Sequence, residues 1–130
     1  MTDETNTDSQ AQADQQQNQL DPKFFTVVNE YLELTNKQSK EHGLKRISMA
    51  SLYAAARFNV HTFMTGAGAN VGDERQDFLN YMTKLYRTML NEHLDGLGHE
   101  RGIDVGASEL QAELKAAAER AAAEQKQPSA

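Results

Sequence analysis

Residues 51–64 read SLYAAARFNVHTFM. Projected at about 100° per residue, Leu52, Ala56, Phe63, Met49, Val60, Tyr53 and Met64 fill one broad arc. Phe58, Ser51, Thr62 and Ala55 cover the other flank with apolar or small groups. A narrow polar window remains, with Arg57 and His61 at i and i+4. A helix apolar on most of its circumference is central in a small bundle. Ala54, Ala55 and Ala56 leave room for a neighbouring helix to approach closely. Asn59 falls inside the apolar arc. A buried amide without a partner costs about 1–3 kcal/mol, so a hydrogen bond to Asn29 or Asn36 of the preceding helix is expected.

The flanking segments have the same period. Asp21 is placed to cap a first helix, and Pro22 suits its first position, where no amide hydrogen is needed. Phe24, Val27, Val28, Tyr31, Leu32 and Thr35 follow at helical spacing. Gly43 is read as a left-handed stop. The second helix is expected from Ser48 to Thr65, followed by the loop GAGANVG. Asp73 with Gln76 three residues on has the capping-box pattern. Phe78, Tyr81, Met82, Leu85, Met89 and Leu90 then form a third stripe, which Gly96 and Gly98 are expected to end. No run alternates with period two, so the fold class is all-α.

Outside this region the composition changes. Residues 1–20 hold almost nothing apolar and cannot offset their ordering entropy, which predicts a disordered, acidic, Gln-rich tail. Residues 21–98 contain all nine aromatic residues and form the expected three-helix domain. Residues 99–107 are a glycine-punctuated linker. ELQAELKAAAERAAAEQKQ follows and is rich in helix formers. Leu110 and Leu114 are its large apolar residues, so the fourth helix, 108–126, is expected to be largely exposed, with 127–130 as a tail.

The formal net charge of -6 sits mainly on the tails: residues 1–21 carry -5, residues 22–98 carry +1 and residues 99–130 carry -2. A nearly neutral middle offers little attraction to a phosphate backbone, so no nucleic acid is expected. The cluster Lys37, Lys40, Lys45 and Arg46 reads as a solvated helix end. No run approaches the roughly 18 apolar residues of a membrane span, and the start lacks the basic and apolar regions of a secretory signal. A cytoplasmic protein is the expectation. With no cysteine, disulfides and thiolate chemistry are excluded.

Three blocks, FFTVVNEYLELTN (24–36), SLYAAARFN (51–59) and YMTKLYRTMLNEHLD (81–95), resemble those of a small bacterial family, domain of unknown function 3144. The resemblance covers roughly residues 22–95. It implies a short helical domain and carries no activity, substrate or cofactor with it. The chain departs from the family pattern at DGLGHE, where an aromatic ending is expected.

The chemical motifs are sparse. His42, His61, His93 and His99 are not spaced as zinc or di-iron ligands, so no metal is expected. His93 projects onto the apolar arc of the third helix and reads as a core or interface histidine. GAGANVGDERQ lacks a phosphate-binding lysine and a preceding strand. Arg57 and His61 share a face and are able to grip an anion; the plainer reading is a salt bridge from Arg57 to Glu30, Glu33 or Asp77. The reading that fits best is a non-enzymatic interaction module without cofactor, binding a protein partner or itself. A homodimer is favoured because Phe58 and the broad arc of the second helix face different sides. Cover of Phe58 by Leu44 and Ile47 is the competing arrangement. The alternative function is a small-molecule or anion binder, or an enzyme, using Asn36, Tyr53, Arg57, Asn59 and His61.

Overall fold

The computed structural model describes residues 4–19 and 21–126. It is all-α. Helices α1 (Glu4–Gln19), α2 (Pro22–His42), α3 (Leu44–Ala67), α4 (Val71–Arg101) and α5 (Glu109–Lys126) follow one another, with a 3-10 turn at Gly68–Asn70 before α4. The chain divides into two compact units, Met1–Met82 and Thr83–Ala130. The expected tail at 127–130 lies outside the described residues, as do residues 1–3 and 20.

In the first unit, α2 starts as the sequence predicts. The Asp21 carboxylate accepts from the Lys23 amide at 3.0 Å, and Pro22 opens the helix. A stripe of Phe24, Val28, Thr35 and Ser39 is half-buried. The junction to α3 is a single residue. Gly43 has φ 93° and ψ 148°, a region essentially closed to side-chain-bearing residues. Its amide donates to Ser39 O at 2.8 Å, and its carbonyl accepts from the Ile47 amide at 3.2 Å. Helix α3 therefore begins at Leu44, four residues before the expected Ser48 cap. Ile47 is buried at this corner. At the other end of α3, Phe63 stacks on Phe78 of α4, with ring centroids 4.2 Å apart and planes 9° from parallel.

Two expectations for this unit are corrected. Asp73 does not cap α4, because the 3-10 turn leads straight into a helix that starts at Val71. Asp73 lies in the first turn, where its charge suits the helix dipole. Gln76 bonds forward to Asn80 at 3.2 Å rather than back to the cap. Asn59 is half-buried, and no hydrogen bond joins its amide to Asn29 or Asn36. Half exposure lets water satisfy what no neighbour does.

Residues 4–19, where composition suggests an unordered tail, form α1. This helix has no apolar face. Ala11 and Gln15, four apart, are buried among those of its residues whose side chains are described. Between them Asp14 accepts the Tyr81 hydroxyl at 2.5 Å and the Gln10 side-chain amide at 3.0 Å. Burial and the bond to Asp14 push the Tyr81 phenol up to about 12.

The second unit shows why α4 does not stop at Gly96 or Gly98. It continues to Arg101 and ends at Gly102, which has φ 65°. The Gly102 amide donates to His99 O at 3.4 Å, and the Ile103 amide donates to Gly98 O at 2.9 Å. These two bonds are the Schellman closure of a helix end. Gly98 is needed for packing rather than termination. A Cβ there would lie 2.7 Å from Val105 Cγ1 and 3.1 Å from the Ile103 carbonyl oxygen. Residues 102–108 fold back over the last turns of α4, and α5 starts from there. The Ser108 hydroxyl donates to Asp95 at 2.6 Å and accepts from the Gln111 amide at 3.2 Å. Arg87 forms a two-pronged bond to Glu109, and Asn91 adds a third at 3.2 Å. Beyond this first turn α5 is exposed, as its composition predicts.

The glycines of α4 give a paired prediction. Gly96→Ala should stabilise the protein by about 0.5–1 kcal/mol, since a Cβ there meets nothing within 4 Å and alanine favours the helix. Gly98→Ala should destabilise it, and adding Val105→Ala should recover part of the loss; denaturant titration of the four proteins checks both signs. A second prediction concerns α1. The Tyr81 phenol is raised above the ordinary tyrosine value, so its contribution to docking α1 is complete below about pH 10 and is lost as pH rises towards about 12. Amide exchange of residues 10–17 should accelerate over that window, and Tyr81→Phe should show the faster exchange already at neutral pH.

Candidate functional site

The five candidate residues all lie in the first unit, on α2 and α3. Asn36 is exposed on the flank of α2 beside the half-buried stripe. Tyr53 is 79% exposed. Arg57 and His61 share one face of α3, while Asn59 lies on the opposite, packed line with Phe63 and Ala67. The structure thus brings Arg57 and His61 to one side and leaves Asn59 on the other. His61 rests against Phe58, with ring centroids 6.3 Å apart and planes 34° from parallel. Among the described residues Arg57 forms no ion pair, so the expected bridge to Glu30, Glu33 or Asp77 is not made. No group of three or more metal-ligating side chains gathers among the described residues.

The polar contacts that order the chain lie elsewhere, at Asp14–Tyr81 and at Arg87, Asn91 and Glu109. Sequence reasoning missed them. Tyr81 and Asp14 are 67 positions apart and no local signal links them. The Glu109 carboxyl is held below its ordinary range by hydrogen bonds from Arg87 and Asn91, and the Arg87 guanidinium is raised in return, chiefly by its bond to Glu109. Both groups are open to solvent, which screens the pair and makes it a device for register more than for stability.

Many large apolar side chains among the described residues are exposed. Ala11 and Ile47 are the buried apolar side chains among the described residues. Phe58 is 64% and Leu44 80% exposed, so Leu44 does not shield Phe58. Tyr31, Leu32 and Leu34 of α2 and Met49, Tyr53 and Met64 of α3 are also exposed. So are Tyr86, Leu90, Leu94 and Leu97 of α4. No helix among the described residues is long and apolar enough to cross a membrane, so these side chains do not form a span.

No curated protein matches the chain, and no solved structure does. One family does match, over residues 24–97, the region from the first aromatic of α2 almost to Gly98. The match takes in the Gly43 junction, the Phe63–Phe78 stack and the exposed apolar line of α4, and stops short of the Gly102 closure and α5. On that match the chain belongs to the DUF3144 family, proteins of unknown function.

Proposed function

We propose that this protein is a non-enzymatic interaction module whose helices complete their hydrophobic core against the surface of another chain, either a protein partner or a second copy. The observation that carries this reading is the apolar surface left open by α2, α3 and α4. Contiguous exposed apolar patches larger than a few hundred Å² are rare on a monomer and mark interaction sites. Here exposed large apolar side chains lie on three helices. The polar residues fit the same role. Arg57 and His61 lie near Phe58 on α3 and form a polar rim beside an apolar centre, the usual anatomy of an interface. Arg57, which forms no ion pair among the described residues, is available to a carboxylate of the other chain.

The reading makes a thermodynamic prediction. In dilute solution the full-length chain alone should unfold over a broad range and bind an apolar dye such as ANS, since little apolar surface is withdrawn from water. Raising its concentration, or adding the partner, should sharpen the transition and lift its midpoint by mass action. A chain of monomer mass that unfolds sharply, at a midpoint independent of concentration and without dye binding, would mean that it closes its own core and that the proposal is wrong.

A further inference from the structure

One surface of the first unit has a cover that the structure shows. Helix α1 lies against α2, and its Ala11 and Gln15 are 3% and 9% exposed. Between them, Asp14 accepts the hydroxyl of Tyr81, a residue of α4 in the same unit, at 2.5 Å. Gln12, Ala13, Gln16 and Gln17 face solvent. Among the described side chains of α1, attachment is therefore one short patch, with Ala11, Asp14 and Gln15 at the i, i+3 and i+4 spacing of a single helix face. Little else favours this helix. Its sequence, ETNTDSQAQADQQQNQ, contains no large apolar residue, and Thr, Asn, Asp and Ser rank low as helix formers. Isolated helices of about 12–15 residues are marginal in water even when alanine-rich, and α1, at 16 residues with two alanines, is scarcely longer and far poorer in alanine. It also lies outside residues 24–97, the stretch that the family match covers, whereas Tyr81 lies inside it.

We infer that α1 is a detachable strap, helical while it is docked over Tyr81 of its own chain and unfolded when it lets go, so that the Tyr81 face opens in the released state. The inference stands on contacts inside the first unit and does not depend on the reading of the protein as an interaction module. The physical basis is a small balance. Ordering entropy accrues with every residue that α1 fixes. The favourable contacts come from one short patch: a buried methyl group, a buried glutamine and one hydrogen bond to a carboxylate. A segment so held belongs to the low-stability end of a structure, where local opening precedes global unfolding. Release and redocking of such a segment is an order–disorder switch. Its occupant in the closed state is α1 itself, so any ligand of the Tyr81 face competes with the strap.

The test uses the full-length protein and two variants that add the same charge at neighbouring positions. Ala11→Glu places it in the buried patch, and Gln12→Glu places it on the exposed side. Two readouts are followed: amide exchange along the chain, and nitration of Tyr81 by tetranitromethane relative to Tyr53, which is 79% exposed and serves as the internal reference. In Ala11→Glu, residues 10–17 should exchange as an unfolded chain, and the nitration of Tyr81 relative to Tyr53 should rise by about tenfold or more, the shift expected when a buried contact to a charged group is lost. Exchange within α2 and α3 should stay at the wild-type rate. Gln12→Glu should match the wild type in both readouts. Protection of residues 10–17 that survives Ala11→Glu overturns the strap, because α1 is then helical without docking. Loss of protection in α2 and α3 together with α1 also overturns it, since α1 is then a structural part of the unit. Tyr81 nitrated no faster after release shows that α1 is not its cover, and an equal effect of Gln12→Glu shows that charge rather than the buried patch decides; either result refutes the inference, as does wild-type exchange at residues 10–17 that is already that of an unfolded chain.

Discussion

The organisation of this molecule follows from a mismatch between where its apolar side chains sit and what one chain has to cover them with. Helix α3 is apolar over most of its circumference, and α4 carries apolar residues on two lines. A helix in a small bundle usually presents one stripe to one or two neighbours. Here α2 meets α3 along one stripe, Phe63 meets Phe78 at one stack, and many other large apolar side chains among the described residues stay exposed. Burial of apolar surface is the main favourable term in folding. A chain that leaves Phe58, Tyr31, Leu90 and Leu97 in water forgoes much of it. Local rules hold the helices in place: good helix formers, the Asp21 cap of α2, and glycines where the backbone must turn.

Those local devices differ in weight. Gly43 joins two helices with no loop, and its positive φ makes that corner depend on the absence of a side chain. Gly102 does the same at the end of α4, and Gly98 gives Val105 a place to lie. Against these, the Arg87–Glu109 pair is geometrically good but open to solvent at 69% and 45% of its side chains, where water competes for both charges. The packing of Val105 over Gly98 therefore fixes the turn, and the ion pair selects which turn of α5 faces α4. Tyr81 and Asp14 act comparably on α1, a helix whose sequence has no apolar stripe to hold it.

Much of this architecture was legible in the sequence. The helical period of residues 24–35 and 78–90, the Asp21–Pro22 start and the exposed final helix follow from spacing and propensity alone. The misplaced helix ends share a cause. Ser48, Asp73 and the glycines at 96 and 98 are all residues that end helices when nothing else decides. In each case the helix continued because a stronger local feature lay nearby. Gly43 already turns the chain before Ser48, the 3-10 turn feeds α4 before Asp73, and Gly102 closes α4 after Gly98. The bond between Tyr81 and Asp14 was not legible, because it joins distant positions with no shared period. The candidate residues on α3 were placed correctly on their helix, but projection alone does not reveal that Arg57 lacks its intramolecular carboxylate.

The open core also bears on chemistry. A catalytic or ligand-gripping group works when packing locks its rotamer and excludes water. Tyr53, Arg57 and His61 are exposed on α3, where their side chains retain rotamer freedom and the Arg57 charge is screened. Covering that face would change all three conditions at once: the side chains would lose freedom, the local dielectric would fall, and Arg57 would require a partner charge. Under the proposed function, the step that covers this face would therefore also pre-organise these polar residues. On the proposed reading, recognition and any chemistry these residues support would be coupled to assembly, and the residues at 53, 57 and 61 would act as parts of an interface.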